Sequence, residues 1–346
     1  MTPPTGTHMR KHSVIESTPN SPLSRRPSFS RRSFLKVFSA AGAAACASAA
    51  KPAEAQNTEK QEELMTVLDI SKCVGCGECV AACKESNAHK YPTVRKPIPK
   101  MFPPRVKVED WSDKKDVDDR LTPYNWLYIQ TAELEHDGED FELNIPRRCL
   151  HCTNPPCANL CPWGAALKED TGIVRIDEDI CLGGAKCRTV CPWHIPQRQS
   201  GAGLYLDLLP RFAGNGTMLK CDRCYDKIAE GKEPACITAC PEDIQTIGPR
   251  SMMIKHAKAL AASMNGYIYG LDENGGTNTI YVSPVPFEKI NNAIEKGRGR
   301  PNLAPVKNSM ANEETLTSAL IAAPLAGIAA GVLKIFSDAR KEKQND

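Results

Sequence analysis

Cys149-Leu-His-Cys152-Thr-Asn-Pro-Pro-Cys157-Ala-Asn-Leu-Cys161-Pro162 is the stretch of sequence that decides the fold. Three cysteines lie close together, and a fourth follows one helical turn later, directly before a proline. In such a run the three close cysteines wrap one cubane iron–sulfur cluster, and the cysteine before the proline reaches a neighbouring cluster. The stretch therefore predicts a chain that folds around paired clusters.

The remaining cysteines repeat this arrangement. The chain has 346 residues and 16 cysteines, of which Cys46 stands apart. The other fifteen form four groups, which are Cys73, Cys76, Cys79 and Cys83; Cys149, Cys152, Cys157 and Cys161; Cys181, Cys187 and Cys191; and Cys221, Cys224, Cys236 and Cys240. A disulfide framework suits short secreted chains with scattered cysteines, and a zinc site has no use for a third close cysteine. The grouping favours iron–sulfur clusters over both.

The spacing between the groups predicts how they share ligands. Groups two and three are separated by a strand-like connector, 172–177, as in a two-cluster unit, so they are expected to exchange fourth ligands. One cluster would take Cys149, Cys152, Cys157 and Cys191, and the other Cys181, Cys187 and Cys161. Groups one and four then pair across the chain, giving one cluster on Cys73, Cys76, Cys79 and Cys240 and another on Cys221, Cys224, Cys236 and Cys83. One dicluster unit is thus predicted to be inserted into another.

Group three has only three thiols. Gly184 occupies the position where the pattern calls for a second cysteine. The favoured hypothesis is a three-iron, four-sulfur cluster at this site. The alternative is a fourth [4Fe-4S] cluster completed by water or by a residue such as His194, and Gly184 is also compatible with a tight loop that needs a positive φ.

The four groups in this order, with Arg148-Cys149-Leu-His-Cys152-Thr-Asn-Pro-Pro-Cys157, resemble the ferredoxin-like subunits of membrane-bound respiratory oxidoreductases. The resemblance spans roughly residues 65–290 and includes partners of formate dehydrogenase, dimethyl sulfoxide reductase and nickel–iron hydrogenases. It is strongest to the hydrogenase-2 type, although Gly184 departs from the four-cubane pattern of that type. The spacing and the resemblance together predict an α+β fold of two interleaved bacterial-ferredoxin-like (4Fe-4S dicluster) units. Because group three has only three thiols, the predicted content is three [4Fe-4S] clusters and one [3Fe-4S] cluster.

The N-terminus predicts export. Ser30-Arg31-Arg32-Ser33-Phe34-Leu35-Lys36 followed by a weakly apolar run matches a twin-arginine signal, which carries folded proteins out of the cytoplasm. Removing residues 1–55 takes away eight basic and two acidic side chains, so 44 − 8 = 36 basic and 41 − 2 = 39 acidic residues remain, a formal charge of −3. That balance indicates no nucleic-acid partner.

The C-terminus predicts a membrane anchor. Residues 315–333 are 19 uncharged residues followed by basic ones, which places the tail in the cytoplasm and the cysteine-rich body outside it. Gly327 and Gly331 form a GxxxG face suited to a helix of an integral membrane quinone-reactive subunit. A soluble alanine-rich core helix is the alternative.

These features divide the chain into six predicted segments. They are 1–55, a cleaved signal; 56–148, the first cysteine group and an insertion; 149–200, the inserted two-cluster unit; 201–250, the fourth group; 251–312, a cover and linker; and 313–346, a transmembrane anchor and cytoplasmic tail. The insertion is expected to cover the clusters or to contact a partner. Residues 251–264 are expected to form a helix capped by Ser251 and stopped by Gly266.

The expected function is electron relay, without catalysis on this chain, between a periplasmic catalytic subunit and the membrane subunit. A nickel–iron hydrogenase is favoured as the catalytic subunit, with a molybdopterin enzyme as the alternative. No nucleotide-binding loop and no nucleophile–base pair stands out in the sequence. His151 is expected either to tune a cluster or to pack, and Trp163 and Trp193, which each follow a Cys-Pro, are expected to shield clusters from water.

Overall fold

The computed structural model describes residues 62–101, 107–208 and 216–312. The predicted twin-arginine signal with Cys46 and the predicted anchor at 315–333 lie outside these residues. Within them, every helix is too short or too polar to cross a lipid bilayer.

The described chain alternates short strands and short helices. The strands are β1 (Leu64–Asp69), β2 (Tyr128–His136), β3 (Glu139–Arg147), β4 (Ala166–Lys168), β5 (Val174–Ile176), β6 (Gln197–Gln199), β7 (Thr217–Leu219), β8 (Gln245–Pro249), β9 (Tyr267–Tyr269) and β10 (Thr279–Ser283). The helices are α1 (Glu78–Asn87), α2 (Pro156–Asn159), α3 (Lys186–Val190), α4 (Tyr205–Leu208), α5 (Tyr225–Ala229), α6 (Ala235–Thr238), α7 (Arg250–Ser263) and α8 (Phe287–Ala293). This is the mixed helix-and-strand composition expected of ferredoxin-like units.

One four-stranded sheet joins the two ends of the described chain. Its strand order is β8-β1-β10-β9, with β1 antiparallel to β8 and parallel to β10. Side chains along β1 point alternately to the two faces of the sheet. Met65 and Val67 pack with α7 on one face, and Leu68 belongs to the main core on the other. Because β1 leads into cysteine group one and β8 follows group four, their pairing brings these two groups together.

Two hairpins and one further antiparallel strand pair position the other cysteines. The β2–β3 hairpin leads directly into Cys149. The β4–β5 hairpin lies between groups two and three, where the sequence predicted a strand-like connector. Strands β6 and β7 are joined by a longer connection that contains α4, and their antiparallel pairing sets Gln197 opposite Leu219. This brings the end of group three close to the start of group four.

The helix predicted at 251–264 is present, but its cap differs. The helix is α7, Arg250–Ser263, and its N-cap residue is Pro249. Ser251 therefore lies in the first turn, where its backbone N–H and its hydroxyl contact Glu62. The predicted stop is present, because the Gly266 N–H donates to the carbonyl of Ala261 at 2.7 Å.

Candidate iron–sulfur sites

All fifteen grouped cysteines are free thiols in the structure. Eleven are buried, Cys73, Cys161 and Cys240 are half-buried, and Cys76 is exposed. The grouped cysteines therefore do not form a disulfide framework.

Three cavities in the described chain are each lined by four thiols. Site A is lined by Cys73, Cys76, Cys79 and Cys240. Site B is lined by Cys83, Cys221, Cys224 and Cys236. Site C is lined by Cys149, Cys152, Cys157 and Cys191. These are the three four-cysteine ligand sets that were predicted from the spacing.

The remaining three cysteines form site D. Cys181 and Cys187 are buried in an apolar cluster with Met218, and Cys161 packs against that cluster. The pKa of the Cys187 thiol is raised by burial, and the thiols of Cys181, Cys157 and Cys161 add to the increase. The structure therefore brings together the three cysteines that the sequence assigned to the fourth cluster.

The backbone conformation of the site D loop does not require a glycine at position 184. The left-handed residues of the loop are Gly183 (φ +63°) and Ala185 (φ +58°), so the hypothesis that Gly184 supplies a positive φ is wrong. A Cβ built on Gly184 meets no atom within 4 Å. His194, the alternative ligand, is exposed, and its Nδ1 lies 3.1 Å from the carbonyl oxygen of Arg188.

Short helices connect the sites in pairs. Helix α1 carries Cys79 of site A and, one turn later, Cys83 of site B. Helix α2 carries Cys157 of site C and ends just before Cys161 of site D, while α3 carries Cys187 of site D and ends at Cys191 of site C. Each helix therefore serves two sites, as the exchange of fourth ligands between neighbouring clusters requires.

Shared elements and side chains give the order of the sites. Helix α1 carries a ligand of site A and a ligand of site B. The ring of His151 lies 3.8 Å from the sulfur of Cys221 in site B, and its backbone N–H donates to the sulfur of Cys149 in site C, so these two sites are neighbours. Helices α2 and α3 join sites C and D. The sites form a row in the order A, B, C, D.

The thiols accept hydrogen bonds from several N–H groups. Backbone donors are the N–H groups of Gly183 and Met218 to Cys181, of Arg223 to Cys221, of His151 to Cys149 and of Ala166 to Cys161, at 3.4 to 3.5 Å. Side-chain donors are Asn274 to Cys152 at 3.5 Å, Asn87 to Cys83 at 3.7 Å and Arg148 to Cys236 at 2.8 Å. Donors aimed at sulfur favour the thiolate over the thiol, and thiolate is the form that binds metal.

The donor set fits iron–sulfur clusters rather than single ions. Soft thiolate ligands favour such clusters, and sites A, B and C are each lined by four cysteines. In the described ranges, no three His, Cys, Asp or Glu side chains converge tightly enough to hold a single metal ion. The thiols instead surround cavities. Because burial raises the pKa of most of them, bound iron must supply the positive charge that keeps them ionised.

His151 lies between sites B and C. Its Nδ1 accepts the backbone N–H of Val174 at 3.0 Å, which leaves the ring proton on Nε2, 3.8 Å from the sulfur of Cys221. Burial lowers the pKa of His151 well below its usual value, and Arg223, Lys220 and Arg148 lower it further. The ring is therefore a neutral hydrogen-bond donor toward a ligand of site B. This geometry favours the first of the two roles expected from the sequence, tuning of a cluster, over simple packing.

The two tryptophans differ. Trp193 is buried, lines site C and donates its Nε1–H to the hydroxyl of Tyr269 at 2.8 Å. Trp163 is 60% exposed, which does not fit the predicted shielding role. The proline and small residues around it give sequence analysis no signal that distinguishes it from Trp193.

The insertion between groups one and two covers site D. The carboxylate of Glu109 is buried. It accepts hydrogen bonds from both terminal guanidinium nitrogens of Arg188, at 2.8 and 2.9 Å, and from one of Arg198 at 2.7 Å. Arg298 also contacts Glu109. Arg188 lies between Cys187 and Cys191, and Arg198 donates to the carbonyl of Gly183 at 3.2 Å. Sequence analysis missed Glu109, because nothing in a polar stretch marks one carboxylate as buried.

Comparison with known proteins identifies iron–sulfur domains in this chain. Two family models, each described as a 4Fe-4S dicluster domain, match residues 72–165 and 141–250. The chain is 29% identical over 265 residues to a protein of Nitratidesulfovibrio vulgaris, covering 74% of this chain and 65% of that protein, just under two thirds of its length.

Two relatives carry informative names. The chain is 31% identical over 195 residues to the B subunit of anaerobic dimethyl sulfoxide reductase of Escherichia coli K12, covering 56% of this chain and 78% of the relative. It is 28% identical over 298 residues to the hydrogenase-2 operon protein HybA of Escherichia coli O157:H7, covering 75% of this chain and 82% of the relative.

Proposed function

Since the chain belongs to the ferredoxin-like iron–sulfur electron-transfer subunits built on 4Fe-4S dicluster domains, we propose that it is the relay subunit of a membrane-bound respiratory complex. It passes electrons between a periplasmic catalytic subunit and an integral membrane quinone-reactive subunit. The chain itself binds no substrate of the complex and turns none over.

The row of cysteine-lined sites is the observation that carries this proposal. At the site A end, Cys76 is exposed and Val74 is 60% exposed. Near site D, Leu160, Trp163 and Ile180 are exposed. The thiols between the two ends are mostly buried. A chain that accepts electrons at one face and delivers them at another needs this arrangement of accessible ends and a dry interior.

We assign [4Fe-4S] clusters to sites A, B and C, each of which has four thiols. When bound, such clusters supply one-electron oxidation and reduction. The residues of the chain hold them, exclude water and direct N–H donors at their sulfur ligands.

Site D is proposed to hold a [3Fe-4S] cluster. The site has three thiols, position 184 has no side chain, and His194 is exposed at the surface. Electron paramagnetic resonance of the oxidised protein tests this assignment. A three-iron signal supports it, and a fully iron-loaded protein without that signal contradicts it and favours a fourth [4Fe-4S] cluster.

Location is proposed from the sequence. The twin-arginine pattern at 30–36 and the basic residues after 333 both support a location of the cluster-bearing body on the periplasmic side of the cytoplasmic membrane. The run 315–333 would anchor the chain, with Gly327 and Gly331 facing a helix of the membrane subunit.

A nickel–iron hydrogenase is the catalytic partner we favour, because the alignment with the hydrogenase-2 operon protein continues well beyond the cysteine groups and covers 75% of the chain. A molybdopterin enzyme of the formate dehydrogenase or sulfur-compound reductase type is the alternative, favoured by the 31% identity to the B subunit of dimethyl sulfoxide reductase. Extracting the complex gently in detergent and measuring its metals separates the two. Nickel supports the first, whereas molybdenum or tungsten supports the second.

A further inference from the structure

Three positively charged side chains are buried among the cysteine sites. Arg148, Lys220 and Arg223 are only 5%, 5% and 4% exposed. Over the ranges that the structure describes, none of the three forms an ion pair with a carboxylate. Their hydrogen-bond partners are sulfur, carbonyl, amide and hydroxyl groups. A buried cation without a counter-charge is among the costliest features a fold can carry, so each one needs a physical reason.

Arg223 has a structural reason. Its guanidinium donates to the carbonyls of Leu64 and Asn278 at 2.6 and 2.7 Å and to the hydroxyl of Thr279 at 3.0 Å. These contacts fasten the loop of group four to β1 and to the start of β10. They account for the burial of its guanidinium, although Arg223 also lines site B and its backbone N–H donates to the sulfur of Cys221.

Arg148 is directed at site B. One guanidinium nitrogen lies 2.8 Å from the sulfur of Cys236 and 2.7 Å from Oε1 of Gln245, and the side chain lines the cavity. A hydrogen bond between a charged donor and a thiolate is stronger than one between neutral groups. Arg148 therefore brings both a donor and a full positive charge to a ligand of site B.

Lys220 has the same relation to site C. Its ammonium group donates to the carbonyls of Val174 and Cys221, and the side chain lines the cavity beside Cys149 and Cys157. It makes no hydrogen bond to a ligand sulfur, so its influence on the site is that of a nearby charge.

A cluster bound by thiolates is anionic and becomes more negative on reduction. A fixed cation in a dry site stabilises the reduced state more than the oxidised state, and net charge and hydrogen bonds to sulfur are known determinants of cluster potential. Building on the proposed function, we propose that Arg148 and Lys220 are positioning residues that raise the reduction potentials of the clusters at the two inner sites, B and C.

The test uses the full chain loaded with clusters. Arg148→Gln and Lys220→Met each remove one buried charge, and Arg148→Lys and Lys220→Arg keep it. Lys72→Gln is the matched control, because Lys72 is next to Cys73 but its side chain is 65% exposed and pairs with Asp69. Potentials of the individual clusters are measured by redox titration followed by electron paramagnetic resonance, and iron per chain is measured on the same samples.

We expect Arg148→Gln and Lys220→Met each to lower the potential of a different cluster at unchanged iron content. The charge-preserving variants and Lys72→Gln should keep the wild-type potentials. Unchanged potentials in fully loaded Arg148→Gln and Lys220→Met would overturn the inference. If a charge-removing variant loses its cluster, the charge-preserving variant of the same residue decides: wild-type potentials support the inference, and lowered ones overturn it. A wild-type chain without iron would instead refute the proposed function itself.

Discussion

Glu109→Gln removes a carboxylate that three arginines share, at the point where the insertion covers site D. The Glu109 side chain is 6% exposed, and those of Arg198, Arg188 and Arg298 are 7%, 21% and 54% exposed. Removing one partner of a buried ion pair costs about 3–5 kcal/mol, because the other charge stays buried without compensation. An exposed pair contributes about 0–1 kcal/mol, so Arg298 adds little.

The expected loss of stability is about 3 kcal/mol, the lower end of the buried range, because glutamine keeps one acceptor oxygen and Arg188 is partly hydrated. At about 2.1 cal/mol/K per residue, a chain of 346 residues has an unfolding entropy of about 0.7 kcal/mol/K, so this loss corresponds to a decrease of roughly 4 °C in the unfolding temperature. The assay is thermal unfolding of the iron-loaded protein at one fixed heating rate, followed by circular dichroism and by the visible absorbance of the clusters.

The pH dependence adds a second test. Burial acts to raise the pKa of Glu109, but Arg188, Arg198 and Arg298 outweigh it and leave the pKa below the usual value of 4.5. A carboxylate whose pKa is lower in the folded state contributes stability that is complete above its unfolded pKa and is lost as the pH falls through the folded one. The difference between wild type and Glu109→Gln should thus be constant from about pH 6 to about pH 8 and shrink below about pH 4.

Glu230→Gln is the control, because Glu230 pairs with Lys232 at 2.7 Å but both side chains are more than half exposed. Glu230→Gln should have the same unfolding temperature as the wild type. If Glu109→Gln unfolds at the same temperature as Glu230→Gln, the buried network does not stabilise the insertion, and this reasoning is refuted.

Three further predictions follow from the sites. Gly184→Cys should raise the iron content by about one per chain and abolish the three-iron signal, since a Cβ there meets no atom within 4 Å; a retained signal would show that the added thiol does not reach the cluster. The potential of the site B cluster should not change between about pH 6 and about pH 8, because burial keeps His151 neutral, and a titration step in that range would contradict its assignment as a neutral donor. Stripping the iron with a chelator should unfold the chain around sites B and C, where buried thiolates lose the iron that they bind and buried cations lose the anionic cluster beside them, and circular dichroism unchanged after complete iron removal would argue against this coupling.

The sequence was sufficient to group the cysteines because cluster ligands follow local spacing. Cys79 and Cys83 are one helical turn apart in α1, so they can serve neighbouring sites, and the connector at 172–177 contains the second strand of the hairpin between Cys161 and Cys181. Patterns of this kind depend on a few consecutive residues and can be identified without knowing the rest of the fold.

Contacts between distant residues were not predictable in the same way. Glu109 meets Arg298 across 189 positions, and Arg148 meets Cys236 across 88. No local pattern specifies either pair, because each depends on how the sheet and hairpins bring loops together. The cap of α7 was assigned wrongly for a related reason: a serine at a helix start is a common cap, but Glu62, which lies before β1, binds Ser251 inside the first turn.

The most direct test of the central claim, a row of four clusters on this chain, is the iron and acid-labile sulfide content of the purified full-length protein, with zinc measured on the same sample. Three four-iron clusters and one three-iron cluster predict about fifteen irons and about sixteen sulfides per chain, with no stoichiometric zinc. A preparation that saturates at about eight irons or fewer, or that carries zinc in place of iron, would contradict the account.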